Sequence, residues 1–195
     1  MNNLLEKIFG SGIKKYIIIP IVAMIIGCVI YLSVKEVRKP NLEQASSIAL
    51  SQEKLKDFML DNDIESISVA ADANYSLVAE KWIRGAASYE FEKFLFKVDM
   101  ADYKSNINDC DDFARAFTVF SKFYFRKSLK DKSNLNPCAV GEFYYNKAGM
   151  GPHAINFVVA LDENKKPKLL FFEPQTREFI SLTKEEKKSC FFFGL

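Results

Sequence analysis

Apolar and polar positions follow three different textures along this chain. "YIIIPIVAMIIGCVIYLSV", Tyr16 to Val34, contains 19 residues without a charge. About 20 apolar residues in a helix cross the hydrocarbon layer of a bilayer, so this run predicts a membrane-spanning helix. Lys14 and Lys15 flank one end, and Lys35, Arg38 and Lys39 the other. Pro20 falls in the first turn, where a helix tolerates it. The second texture has helical spacing. "ALSQEKLKDFML" places Leu50, Leu55, Phe58 and Leu60 on one side, with Ser51 as N-cap. Residues 75–96 predict a second helical region broken near Gly85, with Trp82, Phe91, Phe94 and Phe96 as core. A third helix starts at Asn108, with Asp111 as its capping-box partner. Its inward stripe is Cys110, Phe113, Ala114, Phe117, Phe120 and Tyr124, while Arg115, Lys122 and Arg126 face elsewhere.

After Pro137 the period becomes two. "VGEFYYNKAG" and "HAINFVVAL" read as strands, the latter with His153, Ile155, Phe157 and Val159 on one face. "DENKKP" is a turn, "KLLFFEPQ" the returning strand, and "EFISL" and "SCFFFGL" add two more. Helices followed by an antiparallel sheet make an α+β domain. The expected organisation is an anchor over residues 1–39, a polar linker over 40–48 and the α+β domain over 49–195.

Eighteen Phe and eight Tyr in 195 residues supply the core, and a net charge of +2 with pI about 8.2 gives no reason to expect nucleic acid as a partner. The expected localisation is a single-pass membrane protein. Flanking charges balance and do not orient it, although the extracytoplasmic side is favoured for the domain. "IIGC", Ile25 to Cys28, offers a second reading as a lipoprotein processing box with Cys28 lipidated. No small-x-small site follows the apolar run, which argues against a cleaved signal. Cys28, Cys110, Cys138 and Cys190 are too scattered for a disulfide scaffold or zinc knuckle. Cys138 and Cys190 read as buried thiols, able to pair only in an oxidising compartment.

Candidate chemistry centres on "INDCDDFARAF", which sets Cys110 among Asp109, Asp111 and Asp112 at a helix start. A helix N-terminus stabilises a thiolate and offers N–H donors to an oxyanion, while the aspartates suit capping. A thiol nucleophile needs a base and an orienting group. His153 is the sole histidine, and Glu173 ends the strand after it. A turn near Glu163 brings the two opposite each other, to within a few residues of register. Asp109, Asp111, Asp112, His153 and Glu173 show no recognised metal-ligand spacing, so no metal and no cofactor is expected.

"NDCDDFA" on a helix, "HAINFVV" on a strand and "FEPQT" at the end of the next resemble the transglutaminase-like branch of papain-type cysteine hydrolases. The resemblance covers Tyr103 to about Phe193. It implies a papain/transglutaminase-like fold with Cys110 as nucleophile, His153 as base and Glu173 as orienting acid. The family more often has Asp at the last position. Gln175 is a second candidate from the same turn, Asp111 a supporting residue, and Asn106, Asn108 and Trp82 are oxyanion candidates. The function expected is a membrane-anchored cysteine hydrolase or acyltransferase acting on a peptide, protein or cell-wall amide. The alternative is a catalytically inactive binding module of the same fold that recognises peptide or glycan.

Overall fold

The structure is a computed structural model and describes residues 48–65, 68–69, 71–102, 104, 108–129 and 136–195. Strand β1 (Ala49–Ser51) leads into α1 (Gln52–Asp61), whose N-cap Ser51 accepts a hydrogen bond from the Lys54 amide at 3.3 Å. Strands β2 (Ser68–Val69), β3 (Asn74–Ser76) and β4 (Val78–Ala79) follow. A helical stretch then runs from α2 (Glu80–Trp82) through a π-turn (Ile83–Ala87) into α3 (Ser88–Lys97). Helix α4 spans Cys110–Ser128. The remaining elements are β5 (Val140–Lys147), β6 (Gly151–Leu161), β7 (Pro167–Glu173), β8 (Glu178–Ile180), α5 (Lys184–Lys188) and β9 (Phe192–Gly194).

Seven strands form one sheet in the order β2-β9-β5-β6-β7-β8, with β4 joined to β6. It is mixed rather than antiparallel, because β2 pairs with β9 and β4 with β6 in parallel. Both faces are covered, so β6 reads as a nearly unbroken apolar run. One face carries Phe143, Tyr145, Ile155, Phe157, Val159, Phe171 and Phe193 against Leu55 and Met59 of α1. The other carries Val140, Val158, Ala160, Leu170 and Phe172 against Trp82, Phe91, Leu95, Phe113, Phe117 and Phe125. The two periods in the sequence are thus one arrangement: a sheet between helical layers, with side chains alternating into two cores.

Helix α4 forms where expected, because apolar residues at spacings of three and four meet the sheet while Asp111 and Asp112 open it and Arg126 and Lys127 close it, matching the helix dipole. Its cap is Asp109, in extended conformation, not Asn108. Residues 75–76 and 78–79 are strand rather than helix, since β3 pairs with β1 and β4 with β6. Phe96 is 65% exposed and does not join the core. Helix α5 holds its five residues with a capping box between Thr183 and Glu186. Thr183→Ala should therefore lower stability by about 1 kcal/mol, read as a shifted urea midpoint at constant slope.

The expected membrane helix at residues 16–34 lies outside the described residues, as do the Cys28 reading and most of the 40–48 linker. Among the described residues no helix is long and apolar enough to cross a membrane. Helix α4 reaches 19 residues but carries charges at Asp111, Asp112, Arg115, Lys122, Arg126 and Lys127. The expectation of a single-pass localisation is corrected accordingly.

Candidate functional site

His153 and Glu173 meet at the end of the sheet. The ladder between β6 and β7 pairs Asn156 with Phe172, which puts Glu173 across from Ile155 and two residues along from His153. Alternation keeps positions 153, 155 and 173 on one face, and the side chains close the gap: His153 Nε2 and Glu173 Oε2 are 2.6 Å apart. Both are largely enclosed, at 11% and 7% side-chain exposure. The second carboxylate oxygen, Oε1, accepts a hydrogen bond from the Gln175 amide at 3.4 Å. Gln175 Nε2 is buried without a hydrogen-bond partner. Tyr145, opposite His153 on β5, packs edge-on to the imidazole with ring centroids 5.9 Å apart. Burial raises the Tyr145 phenol pKa, with the Glu186 and Glu173 charges adding to the effect.

Cys110 is the first residue of α4, at the positive end of its dipole, and is partly exposed. Asn156 holds this helix to the sheet. Its Nδ2 donates to Ala114 O at 2.8 Å, Thr118 Oγ1 at 2.9 Å and Gly141 O at 3.1 Å. Asn156 shares its face with Val158 and Ala160, the face on which α4 packs. His153 shares its face with Ile155 and Phe157, which pack toward α1. The pleat therefore turns the pair away from the layer containing α4. Among the described residues, no hydrogen bond joins the Cys110 thiol to His153. Cys138 is also a free thiol, and Cys190 Sγ donates a hydrogen bond to Phe192 O at 3.4 Å. Burial pushes the Cys138 pKa up to about 12, which makes it unreactive at neutral pH.

The supporting candidates divide. Asp111 binds Arg115 Nη1 at 2.9 Å. Side-chain interaction with Asp111 lowers the Asp109 pKa, and that with Asp109 raises the Asp111 pKa. Oxygens of Asp109, Asp111 and Asp112 lie within 4.8 Å of one another. Asn108 closes a loop instead of aiming at the thiol: it exchanges backbone hydrogen bonds with Lys104, and its Nδ2 donates to Asp102 O at 3.4 Å. Trp82 stacks on Tyr124 at 5.6 Å and meets Phe125 edge-on at 6.1 Å. That is fourteen residues along α4 from Cys110, about 20 Å at the helical rise, so Trp82 belongs to the core. Asn106 lies outside the described residues. Sequence reading missed Tyr145 and Asn156. The register of "YYNK" against "PHAIN" was the signal for the first, and an Asn inside an apolar strand for the second.

No protein-family model matches the chain, and no curated relative does. Solved structures do match. One, described as the PSL1a–E64 complex, has a TM-score of 0.56 at 18% identity over 75% of this chain and 51% of that one. Another, Polyporus squamosus lectin bound to the human-type influenza-binding epitope Neu5Acα2-6Galβ1-4GlcNAc, has 0.55 at 16% identity over 75% and 49%. The chain spans about half the length of these chains, and identities this low establish a shared fold alone. They correct two expectations. The architecture is one shared with a chain described as a lectin, and the expected papain/transglutaminase-like domain on an antiparallel sheet is corrected accordingly. The expectation of a cysteine hydrolase or acyltransferase with a catalytic triad is corrected with it.

Proposed function

We propose that the domain is a binding module that recognises a glycan or peptide at the end of the sheet, without turnover. The observation that carries this reading is the enclosed His153–Glu173 pair, formed at 2.6 Å with no hydrogen bond to the Cys110 thiol. With Nε2 engaged by the carboxylate, the imidazole keeps Nδ1 as its remaining polar atom, a donor or an acceptor according to protonation. Glu173 fixes the ring's orientation, so a ligand meets a polar group already positioned. The fold likeness to a chain described as a lectin supports the same reading.

Glycan and peptide arrays probed with the full chain are the test, and Neu5Acα2-6Galβ1-4GlcNAc is one probe among them. Cys110→Ala should leave ligand affinity unchanged. His153→Ala should weaken it about tenfold, the scale of one charge-assisted hydrogen bond. Incubation with E64 should leave the mass of the chain unaltered. Covalent capture of Cys110 by E64, or cleavage of a bound ligand, would overturn the binding reading.

A further inference from the structure

Helix α4 has an outer side as well as a buried one. Phe113, Phe117 and Phe125 mark the buried line, which packs on the sheet. At about 100° per residue, Val119 and Phe123 lie roughly opposite that line, one turn apart on a single ridge. Phe123 is 71% exposed, the most exposed phenylalanine among the described residues, and Val119 is 54% exposed. Cations border the ridge, Lys122 and Arg126 on one side and Lys127 on the other. Among the described residues none of these three has an ion-pair partner. From Phe113 to Ser128 the helix carries no acidic residue. Its two carboxylates, Asp111 and Asp112, sit in the first turn and are held by Arg115. Asp112 precedes Val119 by two turns, about 10 Å along the axis, so the C-terminal half of the helix is cationic throughout.

Size, shape and charge together restrict what fits this ridge. Its two side chains expose on the order of 200 Å² of apolar surface, against the roughly 800 Å² that each side of a stable protein interface buries. They stand on a convex helix surface, so a protein partner would have to spread over the charged flanks to reach that size. A bilayer needs no matching hollow. It admits single apolar side chains, while long basic side chains beside them reach its headgroups. Unpaired cations with no acid among them select an anionic surface. We infer that the C-terminal half of α4 is a contact surface for an anionic lipid bilayer. Phe123 and Val119 enter the acyl boundary, and Lys122, Arg126 and Lys127 meet the anionic headgroups. The contact lies on the bilayer and does not cross it. It is separate from the His153–Glu173 site, because α4 covers the opposite face of the sheet and the pair is turned away from the lipid.

The test is the full chain carrying Phe123→Trp, titrated with vesicles of phosphatidylcholine alone and of phosphatidylcholine mixed with phosphatidylserine. Emission from position 123 reports this contact whatever other segments do, and Trp82 is buried and adds a fixed background. On the phosphatidylserine vesicles the emission should shift to the blue, be quenched by brominated acyl chains and recover in added salt. Neutral vesicles should leave it unchanged. Lys122→Gln, Arg126→Gln and Lys127→Gln together should raise the lipid needed about a hundredfold, about fivefold for each cation. No change at position 123 on either vesicle overturns the proposal, whether or not the chain sediments with the lipid. An equal shift on neutral vesicles overturns it as well, as does a triple variant that binds like the parent. A shift produced by poly-glutamate and by neither vesicle would replace the bilayer with an acidic peptide.

Discussion

Gly141→Ala should destabilise the domain by about 3–5 kcal/mol, at or beyond the upper end of overpacking penalties. The cause is close approach, not backbone conformation. A Cβ at this position would run into Gly194 O and would lie 2.7 Å from the Phe157 ring. The first obstacle is backbone and cannot rotate away. Relief requires β9 to shift from β5, which breaks the pairing of Glu142 with Gly194 and Phe143 with Phe193. The Phe193 ring would then leave its edge-on contact with Phe157, now at 5.6 Å. Gly85→Ala is the control, since nothing lies within 4 Å of a Cβ there and Ala favours helical backbone by up to about 1 kcal/mol. Urea unfolding of both variants reads the difference. Equal midpoints would mean that the strand contact is looser than described.

Phe117→Ala should cost about 3–5 kcal/mol, the range for emptying a buried phenylalanine site. The ring is fully enclosed, 4.3 Å from the Phe172 ring on the sheet and edge-on to Phe91 at 5.0 Å. Truncating it opens a hole where α3, α4 and β7 meet, and the sheet beneath cannot collapse far into it. Arg126→Ala, on the exposed side of the same helix, should change stability by no more than about 0.5 kcal/mol. A large effect at Arg126, or a small one at Phe117, would put the helix in the wrong rotational phase.

These two positions mark what was legible in the sequence. The α4 stripe is local information, carried by the 3.6-residue period, and its buried face was read from it. The alternation of "HAINFVVAL" was equally local, and it placed His153 and Glu173 within two residues of their register. Side-chain length then closed the remaining gap. Other features depend on partners distant in sequence. Residues 75–76 and 78–79 precede a helix and became strands because β1 and β6 offered open backbone. Helix α5 has no buried residue, hence no apolar period to betray it. The relation of Cys110 to His153 was the least legible. Alternation tells which side chains share a face, but not on which face a helix docks. Asn156, bonded to Ala114 and Thr118, shows that α4 takes the face opposite the imidazole.

The position of β9 has a consequence for how the chain comes to be made. It pairs β5 on one side and β2 on the other, so the sheet is joined across residues 68 and 193. A ribosome that has delivered everything through β8 has still withheld this strand. Until it emerges, β5 is an open edge, the kind of edge that recruits chaperones or pairs with a neighbouring nascent chain. The time taken to deliver residues 181–194, and not the intrinsic strength of the two cores, then sets how long that exposure lasts.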